Sequence, residues 1–320
     1  MVVGPQKKDV RPRSSRAGQD AVPLDRAVKE KLSLSWNAAR DAIRTGKVFV
    51  GNPGVVVTDP TAMVRSTEKI ELVANAPRPH IAHRSALERG AILHLDPAVV
   101  VVNKPAGIST VPFGDETPEE AKKTLDSLVR EILSKRVPGG RGRAPLGVVH
   151  RLDKETSGVM LFTRTLEAKK HLAQQFREHS IGRRYTAIVH GSFIGKRTIR
   201  SFLVEDRGDG LRGSARPGRR EGQLAITHVK ALQPLAGATL VSCELETGRT
   251  HQIRIHLSEA GHPIVGESVY IRNYAGPRIA APRAMLHAAE LTFEHPTSGE
   301  EMSFSVEPPE DFRTMMLKLR

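Results

Sequence analysis

The sequence predicts an α+β protein built as two units, a small one over residues 22–74 and a larger one over residues 92–320. Three observations carry that reading. At 320 residues the chain is longer than one hydrophobic core usually serves, so two domains, or one domain with a small appendage, are expected. Short β-type apolar runs, such as Val55-Val56-Val57, stand beside isolated helical repeats such as Leu24, Ala27, Val28 and Leu32. The composition is 39% hydrophobic but only 4% aromatic, enough for a sizeable core, and one made mostly of Val, Ile, Leu and Ala.

Charge narrows the partner. The formal net charge is +14 and the isoelectric point is near 10.2. Such an excess implies a polyanion, either nucleic acid or an anionic membrane surface; a generic basic globular protein is the bland alternative. No apolar run reaches the roughly 18 residues a spanning helix needs, so nothing is expected to span a membrane, and no membrane is counted among the partners. Residues 1–19 are polar and basic and lack the apolar stretch of a secretory signal. The single cysteine, Cys243, excludes an internal disulfide and a multi-cysteine zinc site. A cytoplasmic, nucleic-acid-binding protein is the expectation.

In chain order, residues 1–21 read as a disordered basic tail. The 22–74 unit opens with the helical repeat from Leu24 to Leu32. Ser35 caps a second helix beginning at Trp36, with Arg40 and Arg44 on its polar face and Gly46 stopping it. Lys47 leads into a short strand, a Gly-Asn-Pro-Gly turn precedes Val55-Val56-Val57, and residues 69–73 form a third strand. Arg40, Arg44 and Lys47 are the candidate nucleic-acid contacts here; a small domain with merely solvated arginines is the alternative. Residues 75–91 read as a linker.

The larger unit begins with strands at 92–95 and 98–103, followed by the turn Lys104-Pro105-Ala106-Gly107. Thr117-Pro118-Glu119-Glu120 has capping-box form and predicts a helix from there to about Lys135. Residues 137–143 and 196–220 read as basic loops, either solvated or in contact with phosphates. Neither has the spacing of a P-loop, and no dinucleotide-binding GxGxxG occurs. Cys243 sits in an apolar strand, 239–245, as a core thiol.

Residues 150–158, HRLDKETSG, place Asp153 between the cations Arg151 and Lys154. Apolar runs flank them on both sides. Two strands joined by a short polar loop would hold that carboxylate at the edge of a rigid sheet, where catalytic side chains commonly sit. Taken alone, the segment is as compatible with a turn carboxylate in surface ion pairs. Downstream lie GRRYTAIVHG at 182–191, TGRTHQIRIHL at 247–257, GHPIVG at 261–266, MLHA at 285–288 and FEHP at 293–296.

In that order and spacing, residues 92–312 resemble the RluA-type pseudouridine synthases, which isomerise uridine in ribosomal RNA. Residues 22–74, best at 35–57, resemble the S4 RNA-binding domain, an arrangement found in that family. The resemblance implies a mixed, largely antiparallel sheet with flanking helices, and a monomer acting on 23S-type rRNA or an assembling large ribosomal subunit. It implies Asp153 as the catalytic aspartate, Arg249 as the arginine that pairs with it, and Tyr185 as the active-site tyrosine. Arg151 matches the arginine that fills the space left by a flipped base, while Lys104 and Arg254 support the site or contact RNA. The reaction is redox-neutral and intramolecular, so no cofactor and no metal is implied. His251 and His256, five apart, lack the spacing of a HExxH zinc pair and read as packed or hydrogen-bonded residues beside the site.

The sequence departs from these patterns at Trp36, Asn52-Pro53-Gly54, Thr110-Val111-Pro112 and Glu267. A protein kinase, suggested by HRLD, is excluded by the missing glycine-rich loop and Asp-Phe-Gly. A non-catalytic RNA-binding or ribosome-assembly protein should have lost Asp153, Tyr185 or Arg249, and all are present. A synthase acting on tRNA is the other alternative.

Overall fold

The computed structural model describes residues 21–45, 47–51, 55–57, 60, 62–73, 87, 89–112, 123–135, 145–215 and 221–320. The chain divides into two compact units, residues 1–79 and 80–320.

In the small unit, β1 (Ala21–Pro23) leads into α1 (Leu24–Leu32) and α2 (Trp36–Arg44). The Ser35 hydroxyl accepts from the Ala38 N–H at 3.2 Å, the expected cap on α2. Then come β2 (Val48–Val50), β3 (Val55–Val56), β4 (Met63–Arg65) and β5 (Ile70–Leu72). β2 pairs antiparallel with β3 and β5, and β1 pairs antiparallel with β4. Leu24, Val28, Ala39, Ile43, Val48 and Ile70 fill one core. The polar face expected for α2 is corrected at Arg40. Its guanidinium is buried, donates to Asp25 at 2.9 Å and lies over the Trp36 ring at 4.9 Å. Asp25 enters the interior from the first turn of α1, and a buried carboxylate requires a cation. Arg40 is therefore withdrawn from RNA contact. The side chain of Arg44 lies outside the described residues, as do the tail, Gly46, the Asn52-Pro53-Gly54 turn and most of the linker.

The large unit carries one ten-stranded mixed sheet. Its elements are β6 (Ile92–Leu95), β7 (Val99–Lys104), α3 (Leu125–Lys135), β8 (Ser157–Thr163), α4 (Leu166–Glu178), β9 (Gly182–His190), β10 (Lys196–Val204), β11 (Gly213–Ser214), β12 (Gln223–Leu235), β13 (Ala238–Leu245), α5 (Gln252–Glu259), β14 (Leu286–Glu294), β15 (Glu301–Ser305) and α6 (Glu310–Lys318). The strand order is β11-β10-β12-β13-β9-β14-β8-β7-β6, with β15 also on β14. β14 and β8 run parallel, and the other pairings are antiparallel.

The unbroken apolar runs of β7 and β8 follow from burial on both faces. Val100, Val102, Met160 and Phe162 enter the core that holds Leu125, Val129 and Leu133 of α3. Val99, Val101, Val159 and Leu161 enter the opposite core with Ala168 and Leu172 of α4. Cys243 is buried in the first of these, and burial pushes its thiol up to about 12.

Two expectations change. Residues 196–204 are strand β10 rather than loop, paired antiparallel with β12, with Lys196, Arg197 and Arg200 exposed and Ile199, Phe202 and Leu203 turned further inward. Residues 216–220 and 137–143 lie outside the described residues, as does the start of the helix at Thr117; the helix is described from Leu125. The apolar run before HRLD is not a full strand. It meets β8 through one bridge, between Gly147 and Thr163.

Candidate active site

Much of the 150–158 segment is tied down. Half-buried His150 stacks on Phe176 at 4.9 Å, and its Nε2 accepts the Leu161 N–H at 3.1 Å. Burial and the nearby Arg183 push it down to about 3, so the ring stays neutral and can accept. The buried Thr110 hydroxyl donates to the Leu152 carbonyl at 2.8 Å and accepts its N–H at 3.2 Å. The departure at Thr110 thus sits one residue from Asp153.

Lys104, at the end of β7, supports the loop that carries Asp153 and is corrected only as an RNA contact. It is wholly buried, and its Nζ donates to the carbonyls of Pro105, Lys154 and Thr156 at 3.0, 3.1 and 2.6 Å. Burial pulls it down to about 7. Buried Arg283 donates to the Glu155 carbonyl at 3.0 Å and pairs with Asp311 at 2.6 Å. The Ser157 hydroxyl meets His287 Nδ1 at 3.0 Å, and His287 Nε2 donates to the Val306 carbonyl at 3.1 Å. Gly158 has φ +120°, and a Cβ there would stand 2.1 Å from the Ala288 carbonyl oxygen, so β8 and β14 approach this closely only with glycine.

Asp153 emerges from this frame with its carboxylate 19% exposed. Its partner is Arg254, not Arg249: Arg254 Nη1 lies 3.4 Å from Asp153 Oδ2. Arg254 is on α5, and its side chain is largely buried, so it too is corrected as an RNA contact. Its other nitrogens form a fork with Glu267, Nε to Oε2 and Nη2 to Oε1, both at 2.7 Å. Glu267 also accepts the N–H groups of Val269 and Tyr270 at 2.8 and 3.3 Å. Burial alone would raise its pKa, but Arg254 and these donors hold it down to about 2. Arg254 in turn stacks over Tyr270 at 5.2 Å. Its charge is thereby fixed and its remaining amine is aimed at Asp153. Glu267 escaped the sequence reading as a mere departure; its position thirteen residues after Arg254, past the GHPIVG turn, was the available signal. That turn needs Gly266, whose φ is +82° and where a Cβ would meet the Arg283 carbonyl oxygen at 1.9 Å.

His251 precedes α5 in the left-handed conformation, φ 60°. Its Nδ1 is 2.7 Å from the Tyr270 hydroxyl and its Nε2 3.9 Å from Asp153 Oδ2. His256 is buried, bonded to Thr227 and Ser201. Both histidines are packed and hydrogen-bonded as expected.

Tyr185 lies on the inward face of β9, buried. Burial pushes its hydroxyl up to about 12, with the Asp153 charge adding in the same sense, so the phenol is protonated at neutral pH. Arg249 stands apart from the carboxylate: its Nε donates to the Leu224 carbonyl at 3.1 Å and its backbone N–H to Gln252 Oε1 at 3.0 Å. Arg151 is exposed beside Leu152. Among the described residues, no group of three or more His, Cys, Asp or Glu is placed to hold a metal, and no helix is long and apolar enough to cross a membrane.

Fold and site agree with one class of protein: residues 98–259 match the family described as RNA pseudouridylate synthase. The chain belongs to that family and is a pseudouridine synthase, an isomerase. It is 35% identical over 303 residues to the ribosomal large subunit pseudouridine synthase D of Zymomonas mobilis, covering 92% of this chain and 93% of that one. It is 37% identical over 239 residues to the protein of the same name from Neisseria meningitidis serogroup A, covering 72% of this chain and 61% of that one. Among solved structures, human RNA pseudouridylate synthase domain containing 4 is similar at TM-score 0.56 and 26% identity, over 72% of this chain and 94% of that one.

Proposed function

We propose that this synthase isomerises a uridine of large-subunit ribosomal RNA, with Asp153 as the group that acts on the target nucleotide. The observation that carries the proposal is the fixed line Glu267–Arg254–Asp153. One carboxylate is spent on orienting an arginine, which leaves the second facing the open side of the site beside a buried tyrosine. The relatives named for the large ribosomal subunit support the substrate.

An ionised carboxylate serves both routes open to this reaction, attack on the sugar and abstraction of a sugar proton. After glycosidic cleavage the uracil turns and C5 rejoins the ribose. Tyr185 offers its ring to the uracil and a protonated hydroxyl, not a phenolate base. The target must leave its stack first, and exposed Arg151 is the side chain assigned to the space it vacates. The small unit acts as an S4-like RNA-binding module in a monomeric cytoplasmic enzyme. With Arg40 spent on Asp25, Lys47 and Arg44 take the phosphate contacts.

Mapping pseudouridines in the RNA of cells with and without the gene tests the assignment. A uridine of the large-subunit rRNA should lose its modification and regain it with wild-type protein. Loss confined to tRNA would overturn the substrate. Removing residues 1–74 should weaken RNA binding and flatten its salt dependence; an unchanged salt slope would remove RNA binding from the small unit.

A further inference from the structure

Arg249, released from the carboxylate, has a different surrounding. It lines a cavity of about 400 Å³ together with Leu203, Val204, Glu205, Arg212, Gln223 and Thr250. The cavity is linked to the Asp153 carboxylate through neighbouring residues. Thr250 is followed by His251, which approaches Asp153 at 3.9 Å, and the charges of Arg212, Arg254 and Asp153 all act on the Tyr270 hydroxyl.

The arginine is held in advance of any ligand. Its Nε is fixed by Leu224 and its backbone by Gln252. Gln252 is itself buried and bonded to Thr247, Thr227 and the Ile226 carbonyl. A guanidinium has five N–H donors in a planar fork. Here Nε has its acceptor, while among the described residues the two terminal amines have none. Arg212 supplies a second cation, and among the described residues the one acid lining the cavity is Glu205, paired with Arg212 at 2.8 Å through a side chain 85% exposed. The lining thus carries one positive charge in excess. Two arginines with free donor capacity in a small, open, polar cavity suit a tetrahedral dianionic or monoanionic oxyanion better than a base edge or an apolar group.

We propose that the Arg212–Arg249 cavity is a phosphate subsite that binds one backbone phosphodiester of the RNA, within a few nucleotides of the target uridine. This rests on the proposed reaction at Asp153 and adds to it. One phosphate gripped at a fixed distance from the carboxylate sets which nucleotide along the strand is presented to it. Arg249 then fixes the register of the substrate and takes no part in bond making.

The test uses the full chain and short RNA substrates, each carrying one neutral methylphosphonate at a linkage within three nucleotides of the target. For the wild type, one linkage should lower kcat/KM by about tenfold, as expected for loss of a charged hydrogen bond. With Arg249→Gln, unmodified RNA should lose about tenfold in kcat/KM, carried by KM, and the penalty at that linkage should fall below about twofold. Arg212→Gln should silence the same linkage, and Arg249→Lys should restore part of the loss. Penalties that persist unchanged in both glutamine variants would overturn the subsite. So would a wild type indifferent to every linkage. A wild-type enzyme that forms no pseudouridine in any RNA would instead defeat the reading of Asp153.

Discussion

Two buried arginines, Arg40 in the small unit and Arg254 in the large one, began as similar candidates and end in different circumstances. Among the described residues Arg40 meets one carboxylate, Asp25, itself wholly buried. What that pair offers is local order between α1 and α2. Arg254 meets two carboxylates. Glu267 is wholly buried and grips it with a fork; Asp153 is partly exposed and touches it with one amine at 3.4 Å. The difference lies in the second carboxylate. A buried arginine with one acid is spent, whereas one held between two can orient the acid that faces substrate. A pair read from sequence as RNA contacts therefore divides into a structural tie and a positioning tie.

The comparison can be broken most sharply at Asp153. Asp153→Asn should abolish pseudouridine formation, by at least about a thousandfold in kcat, while RNA affinity changes little. Retained turnover in a tritium-release assay would end the assignment. Next comes Glu267→Gln, which leaves Arg254 charged but without its fork. Breaking a buried pair from one side costs about 3–5 kcal/mol of stability, and kcat should fall as well because Arg254 loses its aim. The pH profile adds a sign. Folding depresses Glu267 from the ordinary carboxylate range to about 2, so its contribution is complete above pH 4.5 and is lost as pH falls toward 2. The glutamine variant should flatten that acid limb in thermal melts.

Asp25→Asn in the small unit should cost a similar amount of local stability, about 3 kcal/mol, with kcat at saturating RNA altered less than about twofold. If it damaged kcat as Glu267→Gln does, the distinction between the two arginines would fail. The smallest effect is at Lys104. Folding lowers this amine from about 10.5 to about 7, so across that window the unfolded chain holds the extra proton and stability rises with pH. The slope is about 1.4 kcal/mol per pH unit. Denaturant melts between pH 7 and 9, below the range where Cys243 and Tyr185 oppose it, should lose this slope in Lys104→Met.

Much of this was legible in the chain. The doubly buried strands β7 and β8 announced themselves as continuous apolar runs. The cap at Ser35 and the helix from Trp36 were read from residue type alone. HRLDKETSG located the carboxylate because several neighbours serve particular ties: His150 accepts the Leu161 N–H, Ser157 meets His287, and Gly158 lets β14 approach. The arginines were not legible, because a motif fixes spacing and not direction. In TGRTHQIRIH, Arg249 and Arg254 are five residues apart, and only the left-handed turn at His251 and the start of α5 at Gln252 decide which of them points at Asp153. Lys104 and Arg40 misled for a simpler reason. Sequence shows that a side chain is charged but not whether carbonyls or an acid wait for it inside. Glu267 needed the fold, since its partner arrives across a turn.

The parallel seam between β8 and β14 has a temporal consequence. Gly158 lies against Ala288, Ser157 bonds His287, and Arg283, itself clamped by Asp311, ties the Glu155 carbonyl. All these partners lie some 125 to 155 residues further along the chain, so they reach the loop late in synthesis. A ribosome-bound chain that has released Asp153, Tyr185 and Arg254 but not residue 311 carries all three site residues without the lock that holds the loop. Such non-local closure is slow and comes last in folding. Closure of the loop that carries Asp153 therefore waits on residues 283–311.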